Sequence, residues 1–281
     1  MLKTFDIKGL MRQYRLALSR QRLGQHFLVD GPSLSRIAAE VPAGPTDKIF
    51  EIGAGLGSLT EPLLDTGATV YAVERDSKFL EVLTDRFKSR DNLQLVRSDI
   101  LKMDMGSYAM GEEKSLWVVG NLPYSLTGPI LEFLLANRRW VRRAVLMIQK
   151  EVAERMVAGP GGKECSSLSI TTRLAFTPSI AFLIPPTSFY PKPKVTSAVI
   201  RLEPLAKPAV PLEEEERIIR LVRRVFMHRR KTLQNSLLMS DLGFEKEQVV
   251  AALAALKIDP IRRCETLSLE EFVGLSRALK Y

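Results

Sequence analysis

A strand pattern that runs directly into a glycine-rich turn sets the narrowest limits on the fold of this chain. The residues Ile49-Phe50-Glu51-Ile52 are followed at once by Gly53-Ala54-Gly55-Leu56-Gly57. Glycines at this place permit a tight strand-to-helix turn and let a ligand touch the backbone. The next strand pattern ends at Glu74, whose carboxylate can accept hydrogen bonds from both hydroxyls of a ribose. The sequence therefore predicts a βαβ unit that binds a nucleoside-containing cofactor.

The glycine spacing leaves two classes of cofactor open. Nicotinamide dinucleotides and S-adenosylmethionine both carry an adenosine, and both are bound through an acidic residue at the position of Glu74. The pattern here is GxGxG, with Ser58 where the dinucleotide pattern GxGxxG has its third glycine, and this favours S-adenosylmethionine. Asp99 follows the third strand pattern and can accept a hydrogen bond from an adenine amino group. A phosphate-binding loop is excluded because the turn lacks the GK[ST] sequence.

Strand patterns alternate with amphipathic helical patterns from Lys48 to Leu202. The strand patterns are residues 49–52, 69–73, 93–96, 116–119, 144–148 and 197–202. This alternation predicts an α/β fold with a doubly wound, mostly parallel sheet covered by helices on both faces. Three prolines from Pro204 to Pro211 predict a linker. Three helical patterns follow the linker, at residues 213–238, 246–256 and 269–279, and Ser268 is the expected N-cap of the third. These patterns predict a small all-helical second domain.

The charge balance favours a polyanionic partner. The 281 residues include 41 Lys and Arg against 32 Asp and Glu, which gives a net charge of +9. Such an excess indicates nucleic acid first and an anionic membrane surface second. A mildly basic protein without any such partner is the alternative.

The cysteines and histidines disfavour several kinds of site. Cys165 and Cys264 lie far apart and His26 and His228 are the only histidines, so a disulfide framework and a metal centre are not expected. Prolines break the charge-free run 174–191, and charges interrupt the N-terminus, so neither a transmembrane helix nor a secretory signal is expected. We expect a cytoplasmic protein without a metal and without membrane association.

A polar turn, Asn121-Leu122-Pro123-Tyr124, follows the fourth strand pattern. In a doubly wound sheet this turn faces the same crevice as Gly53. The Asn121 side-chain oxygen and the Leu122 carbonyl can accept both amino hydrogens of an adenine, which favours a pyramidal N6 whose lone pair can attack a sulfonium methyl. Pro123 would rigidify the turn, and Tyr124 offers a stacking face worth about 1–3 kcal/mol. An ordinary polar turn is the alternative, and pyrimidine C5 methylation is disfavoured because neither cysteine is close in sequence.

Five ordered motifs resemble those of the adenine-N6 dimethyltransferases that modify ribosomal RNA. They are Gly24-Gln25-His26-Phe27-Leu28, the glycine turn with Glu74 and Asp99, Asn121-Leu122-Pro123-Tyr124, the segment from Phe189 to Val195, and the segment from Phe226 to Leu237. The resemblance is to the branch that dimethylates two adjacent adenosines in a hairpin loop near the 3′ end of small-subunit rRNA. It implies a seven-stranded sheet of the class I methyltransferase type, with a basic N-terminal segment 1–23, a methyltransferase domain 24–204 and a helical RNA-binding domain 205–281.

The resemblance also implies a set of site residues. S-adenosylmethionine would be the methyl donor and S-adenosylhomocysteine the product. The implied cofactor contacts are His26, Leu28, Gly53, Gly55, Glu74, Asp99 and Asn121. The implied catalytic residues are Asn121, Leu122, Pro123, Tyr124 and Phe189, of which Tyr124 and Phe189 sandwich the target base. Leu122 replaces a proline found in many adenine methyltransferases, but only its carbonyl is needed.

Two basic segments without acidic residues, between Ile7 and Val29 and from Arg217 to Ser240, predict contacts with RNA phosphates. The expected RNA-binding residues are Arg20, Arg22, Arg223, Arg229, Arg230 and Lys231. Solvated helix faces and, for the first segment, an organellar targeting peptide are the alternatives. We expect a monomer whose partners are small-subunit rRNA and the immature small ribosomal subunit. A macrolide-resistance methylase of large-subunit rRNA and a non-catalytic nucleic-acid-binding factor on the same fold are the competing functions.

Overall fold

The computed structural model of the protein describes residues 4–16 and 26–279, and these residues form two compact units. The first unit comprises Met1–Ala153 and Ser179–Pro204, and the second comprises Glu154–Pro178 and Leu205–Tyr281. The change of unit at Pro204 coincides with the end of the predicted methyltransferase domain. Glu154–Pro178, which the sequence analysis places in that domain, instead packs with the helices of the second unit.

A seven-stranded sheet forms the centre of the fold, with the strand order β4-β3-β2-β5-β6-β9-β7. The strands are β2 (Lys48–Ile52), β3 (Thr69–Glu74), β4 (Leu93–Arg97), β5 (Leu116–Asn121), β6 (Val141–Gln149), β7 (Phe176–Ile184) and β9 (Ser197–Pro204). Neighbours from β4 to β6 are parallel, and β9 pairs antiparallel with β6. The prediction of a doubly wound, mostly parallel sheet is therefore confirmed.

The register of the parallel strands brings their carboxyl ends to one level. Ile52 of β2 lies opposite Val73 of β3 and Gly120 of β5, and Glu74 lies opposite Arg97 of β4. The residues that follow these strands consequently gather at one edge of the sheet, where open α/β sheets bind ligands.

Helices cover the sheet in the first unit. They are α1 (Thr4–Gln13), α2 (Gly31–Ala39), α3 (Thr60–Leu64), α4 (Ser77–Arg86), α5 (Met105–Ala109), α6 (Thr127–Ala136) and α7 (Lys150–Val157), the last of which continues into the second unit. Leu34 of α2 and Leu63 of α3 pack with Val70, Val119 and other strand residues in one buried apolar cluster. Asp76 caps α4, where its carboxylate accepts a hydrogen bond from Lys78 N. Burial of this apolar face stabilises the strand ends in their register.

The second unit is helical. Its elements include α8 (Ser167–Arg173), α9 (Leu212–Phe226), α10 (Leu233–Leu238), α11 (Lys246–Ala255) and α12 (Leu269–Ala278). Ser268 caps α12 as expected, because its hydroxyl accepts from Glu271 N while the Glu271 carboxylate accepts from Ser268 N. The expected single helix over 213–238 is wrong, since Thr232 caps a separate helix, α10, after a turn.

Two features of the fold have no counterpart in the predicted strands. One is β7, and the other is a two-stranded sheet of β1 (Phe27–Leu28) and β8 (Phe189–Tyr190), in which Leu28 lies opposite Phe189. Along residues 4–16 and 26–279, the helices are all too short or too polar to cross a membrane.

Candidate active site

A cavity of about 680 Å³ opens at the carboxyl ends of β2, β3, β4 and β5. Its volume is in the range found for binding sites of cofactors and drug-sized ligands. Ten of the predicted site residues line it, namely His26, Leu28, Gly53, Gly55, Glu74, Asp99, Asn121, Leu122, Pro123 and Tyr124. The structure thus brings together residues from four separate strand ends and from the segment before α2.

The glycine turn follows β2 and forms part of the cavity wall. Gly53, Gly55 and Gly57 have φ angles of 72°, 55° and 78°, a left-handed region that side chains strongly disfavour. A Cβ atom on Gly57 would also lie 2.6 Å from the ring of Phe87. Apart from its two chain neighbours, no described residue has a heavy atom within 4 Å of a Cβ built on Gly53, so a ligand can approach the backbone there.

Glu74 closes β3 and holds the glycine turn through its carboxylate. One oxygen accepts a hydrogen bond from Gly55 N at 2.9 Å, and the other accepts from Arg75 N at 2.7 Å and Asp76 N at 2.9 Å. Burial raises the pKa of Glu74, although these three bonds oppose the shift. A carboxylate has about four acceptor positions, so Glu74 can accept a further hydrogen bond from a ligand hydroxyl.

Asp99 lies at the end of β4, on the same side of the cavity. One carboxylate oxygen accepts from Leu101 N at 3.2 Å, and the other lies 3.5 Å from the guanidinium of Arg75. The carboxylate is therefore fixed at the cavity edge, where it can accept a hydrogen bond from an amino group.

Two buried polar residues of the cavity wall, Glu51 and Ser58, were not among the predicted site residues. Glu51 of β2 is 2% exposed, and its carboxylate accepts a hydrogen bond from Thr60 Oγ1 at 2.7 Å. Burial, together with the charge of Glu74, raises the pKa of Glu51 to about 7. The Ser58 hydroxyl is buried and has no hydrogen-bond partner in the described part of the chain. The sequence signal for Glu51 is a carboxylate inside an otherwise apolar strand pattern.

Asn121 ends β5, and its amide is oriented by the backbone. The Asn121 Nδ2 atom donates to the carbonyl of His26 at 2.9 Å. Because a carbonyl only accepts, this bond fixes the NH2 end of the amide and leaves Oδ1 as an acceptor. The residue before it must be glycine, since a Cβ on Gly120 would lie 2.9 Å from the carbonyl oxygen of Ile52.

The Leu122-Pro123-Tyr124 segment is held by hydrogen bonds at several points. Leu122 N donates to Met147 O at 3.1 Å, and Leu126 N donates to Pro123 O at 2.9 Å. The Leu122 carbonyl accepts no hydrogen bond from residues 4–16 or 26–279. It is therefore available, like Asn121 Oδ1, to accept a hydrogen from a ligand amine.

Tyr124 and His26 are neighbouring rings in the cavity wall, which also includes Phe27. Their ring centroids are 5.8 Å apart, and the Tyr124 hydroxyl lies 3.0 Å from Ser197 Oγ. Burial raises the pKa of Tyr124. The His26 Nδ1–H group donates to the carbonyl of Pro191 at 2.7 Å. Both rings are thereby fixed at one end of the cavity.

The remaining predicted site residues that fall within residues 4–16 and 26–279 do not line the cavity. Phe189 is 5% exposed and packs in the apolar core beside Leu28. Arg20 and Arg22 lie outside the described residues. The other four predicted RNA-binding residues belong to the second unit, where Arg223, Arg230 and Lys231 are exposed and Arg229 donates to the carbonyl of Lys163 at 3.2 Å.

This sheet order, with its glycine turn and acidic residues at neighbouring strand ends, defines a class I methyltransferase fold. The sequence model of the family "Ribosomal RNA adenine dimethylase" matches residues 17–280. The chain belongs to this family of enzymes, and the predicted family, fold class and enzyme class are thereby confirmed.

Individual relatives agree with this assignment. A protein of Moorella thermoacetica named ribosomal RNA small subunit methyltransferase A is 42% identical over 280 residues, which are 97% of this chain and 96% of the relative. A dimethyladenosine transferase from Plasmodium falciparum has a similar crystal structure, with 26% identity and a TM-score of 0.72 over 89% of this chain and 96% of that chain. The 23S rRNA methyltransferase ErmE gives 26% identity and a TM-score of 0.68 over 90% of this chain and 99% of its own.

Proposed function

We propose that the protein dimethylates N6 of two adjacent adenosines in the 3′-terminal hairpin loop of small-subunit rRNA, with S-adenosylmethionine as the methyl donor. The observation that carries the proposal is the Asn121 amide. Its NH2 end is bound by the His26 carbonyl, so Oδ1 remains an acceptor, and the carbonyl of the next residue, Leu122, accepts no hydrogen bond from the described residues. Two fixed acceptors in a cavity match the two hydrogens of an exocyclic amine.

The cavity suits the proposed methyl donor in size and in chemistry. The glycine turn gives a ligand access to the backbone, and Glu74 and Asp99 supply carboxylates that can bind ribose hydroxyls and an adenine amino group. The buried Ser58 hydroxyl has no hydrogen-bond partner among the residues that the structure describes, which supports a polar ligand group as its partner. When bound, S-adenosylmethionine supplies an electrophilic methyl group.

The residues of the chain prepare the target nitrogen. Hydrogen bonds to Asn121 Oδ1 and the Leu122 carbonyl withdraw the amino group from conjugation with the ring and direct its lone pair into the cavity. A charged base is not needed for this step, because the proton is lost from nitrogen after transfer. Gly120 keeps the end of β5 tight against β2, which holds both acceptors in place.

Tyr124 is the proposed stacking surface for the flipped base. Its ring lines the cavity and is tethered through its hydroxyl to Ser197. Stacking on an aromatic ring contributes about 1–3 kcal/mol per base and compensates for unstacking the adenosine from its loop. We also propose Phe189 as the opposite face, which requires the residues that cover its buried ring to move when RNA binds.

The small ribosomal subunit is the proposed partner. The relative at 42% identity carries a small-subunit name, and exposed Arg230 and Lys231 in the second unit are available for RNA phosphates. We propose that the enzyme meets immature small subunits in the cytoplasm.

Mapping of the modified bases tests this function. Purified enzyme, labelled S-adenosylmethionine and unmodified small subunits should give two adjacent dimethyladenosines that stop primer extension near the 3′ end of the rRNA. The similarity to ErmE makes large-subunit rRNA the necessary comparison. Modification of large-subunit rRNA alone would overturn the proposed substrate, and absence of transfer to either RNA would overturn the proposed activity.

A further inference from the structure

Arg86 contacts the glycine turn from the end of α4, and it is not one of the residues that line the cavity. Its Nη1 atom donates to the carbonyl of Leu56, and its Nη2 atom donates to the carboxylate of Glu61 on α3 at 3.0 Å. The Arg86 side chain is only 16% exposed. One mostly buried cation therefore joins the glycine turn to α3 and to α4.

The end of α4 fits against the turn because residue 57 has no side chain. A Cβ atom on Gly57 would lie 2.9 Å from Arg86 Nη1. The Arg86 guanidinium also lies over the ring of Phe87, 4.7 Å from the ring centroid. The Leu56 side chain is 1% exposed and belongs to the same apolar cluster as Ile7 of α1. Leu56 is thus held through both its side chain and its carbonyl.

The surroundings of Arg86 oppose its charge in part and satisfy it in part. Burial lowers the pKa of Arg86, and the negative charges of Glu61 and Asp6 oppose this shift. A desolvated guanidinium is tolerated only where partners satisfy it. The bond to the Leu56 carbonyl has a charged donor, and such bonds are roughly twice as strong as bonds between neutral groups. This bond is therefore a strong restraint on the turn.

The glycine turn needs restraint because glycine has large conformational freedom. Gly53, Gly55 and Gly57 all have positive φ angles. Glu74 restrains the turn at the end of β3, where its carboxylate accepts from Gly55 N at 2.9 Å. Arg86 restrains the next residue of the turn from α4. A turn that is ordered in advance loses little freedom when a ligand binds, and this raises affinity.

We propose that Arg86 is a positioning residue for the methyl donor, and that its bond to the Leu56 carbonyl keeps the glycine turn in its ligand-binding conformation. Arg86 acts through the turn and does not touch the donor. This inference rests on the proposed function, because it takes S-adenosylmethionine to be the ligand of the cavity. It assigns a contribution to cofactor affinity to a residue outside both the cavity and the predicted site.

Arg90 supplies a matched control for Arg86. It follows α4 in the chain, and its guanidinium pairs with Asp65 at the end of α3. Arg86 and Arg90 therefore both form an ion pair with a residue at α3. Within residues 4–16 and 26–279, only Arg86 of the two also donates to the glycine turn. Comparison of Arg86→Met with Arg90→Met consequently separates the bond to Leu56 from the general docking of the two helices.

Calorimetric titration of the full chain with S-adenosylmethionine and with S-adenosylhomocysteine tests the inference. Arg86→Met should weaken both ligands by about ten-fold, which is equivalent to ordering the backbone of one residue on binding. Arg90→Met should change either affinity by less than about two-fold. Arg86→Lys keeps a cation but cannot form both bonds of the guanidinium fork. Its affinity for both ligands should be a few-fold below that of the wild type, and it serves if Arg86→Met fails to fold.

Methyl transfer to small subunits gives a readout that a loss of stability alone does not produce. In Arg86→Met, the KM for S-adenosylmethionine should rise by about the same factor as the dissociation constant, whereas kcat at saturating donor should stay within about two-fold of the wild type. This pattern is expected because the turn is restored once the ligand is bound. Arg90→Met should match the wild type in both constants.

Hydrogen exchange measures the order of the turn directly. In the free protein, the amides of residues 53–59 should exchange several-fold faster in Arg86→Met than in the wild type, while the amides of β6 keep their wild-type rates. Saturation with S-adenosylhomocysteine should restore the protection of the turn in the variant. Arg90→Met should exchange like the wild type at residues 53–59.

Glu61→Gln separates the two bonds that Arg86 makes. It removes the ion pair and leaves the Leu56 carbonyl bonded, so ligand affinity should fall by less than in Arg86→Met. A loss as large as that of Arg86→Met would place the role in the ion pair and overturn the assignment to the Leu56 carbonyl.

Equal ligand affinities in the wild type and Arg86→Met, or equal losses in Arg86→Met and Arg90→Met, would overturn the inference while leaving the proposed function intact. If Arg86→Met does not fold, wild-type affinity in Arg86→Lys would overturn it in the same way. A wild-type protein that binds neither ligand would overturn the proposed function and this inference with it.

Discussion

The cavity of the first unit and helix α9 of the second hold their charges in opposite surroundings. In the cavity, Glu74 is half-buried and takes three hydrogen bonds from backbone N–H groups. On α9, Arg223 is exposed, and Arg224 pairs at 3.0 Å with Asp241, whose side chain is largely exposed. Partly buried charges held by backbone hydrogen bonds act individually, whereas exposed charges are screened by solvent and salt and share their effect. Single substitutions should therefore have large effects in the cavity and small ones on the basic surface.

The largest effect is expected from Asn121→Ala. Loss of the oriented acceptor should lower kcat for methyl transfer to small subunits by about 10³-fold or more, while S-adenosylmethionine affinity changes by only a few-fold. Single-turnover transfer and calorimetry measure the two quantities. Asn137→Ala, which removes an amide that bonds the Phe133 carbonyl, is the control. Retention of normal transfer by Asn121→Ala would remove the main support for the mechanism.

Glu51→Gln should stabilise the folded protein at neutral and alkaline pH, but not at pH 4. The folded pKa of about 7 exceeds the ordinary value of 4.5, so ionisation opposes folding progressively from about pH 4.5 upward and fully above pH 7. The shift corresponds to at most about 3 kcal/mol. Urea unfolding should show Glu51→Gln to be more stable than the wild type at pH 8 and equal to it at pH 4. Equal stability at both pH values would show that Glu51 is not desolvated.

Glu74→Gln should weaken S-adenosylmethionine binding by about 10- to 100-fold. The amide can no longer accept from Gly55 N, Arg75 N and a ribose hydroxyl with the strength of a carboxylate. Equilibrium dialysis measures the change, and circular dichroism checks the fold. Unchanged affinity would exclude Glu74 from the cofactor site.

The smallest effects are expected on the basic surface. Arg230→Gln and Lys231→Gln should each weaken binding to small subunits by a few-fold and reduce the salt dependence by about one counterion. Salt titrations of subunit binding measure both. Cofactor affinity should stay at the wild-type value. A loss as large as that of Asn121→Ala from either change would break the contrast between the two regions.

The sequence predicts the cavity well because its residues follow strand ends. Parallel strands with hydrophobic patterns bring Gly53, Glu74 and Asn121 to one edge whatever the detailed packing. The two-stranded sheet of β1 and β8 is not predicted from the sequence, because each strand has only two residues and the two strands lie far apart in the chain. Strand β7 contains Pro178 near its start, and proline is tolerated there because β7 is an edge strand.

Burial is the property that the sequence does not reveal. Phe189 is expected to face the target base, yet its ring lies in the apolar core beside Leu28. In the sequence, Glu51 is a single polar residue within an apolar strand pattern. Only its buried position in the structure distinguishes it from a solvated carboxylate. The break between α9 and α10 is not predicted either, because the turn 227–232 contains good helix formers. The turn ends at Thr232, which caps α10.

The fixed orientation of the Asn121 amide makes the first and the second methyl transfer unequal. Under the proposed function, an unmodified adenosine offers two hydrogens to two acceptors, but a monomethylated one has a single hydrogen left. The second transfer must then proceed with either Asn121 Oδ1 or the Leu122 carbonyl unoccupied, and with the first methyl group lodged beside it. The first transfer is therefore assisted by two hydrogen bonds from the amine and the second by only one. The monomethylated adenosine should accumulate transiently before the dimethylated product.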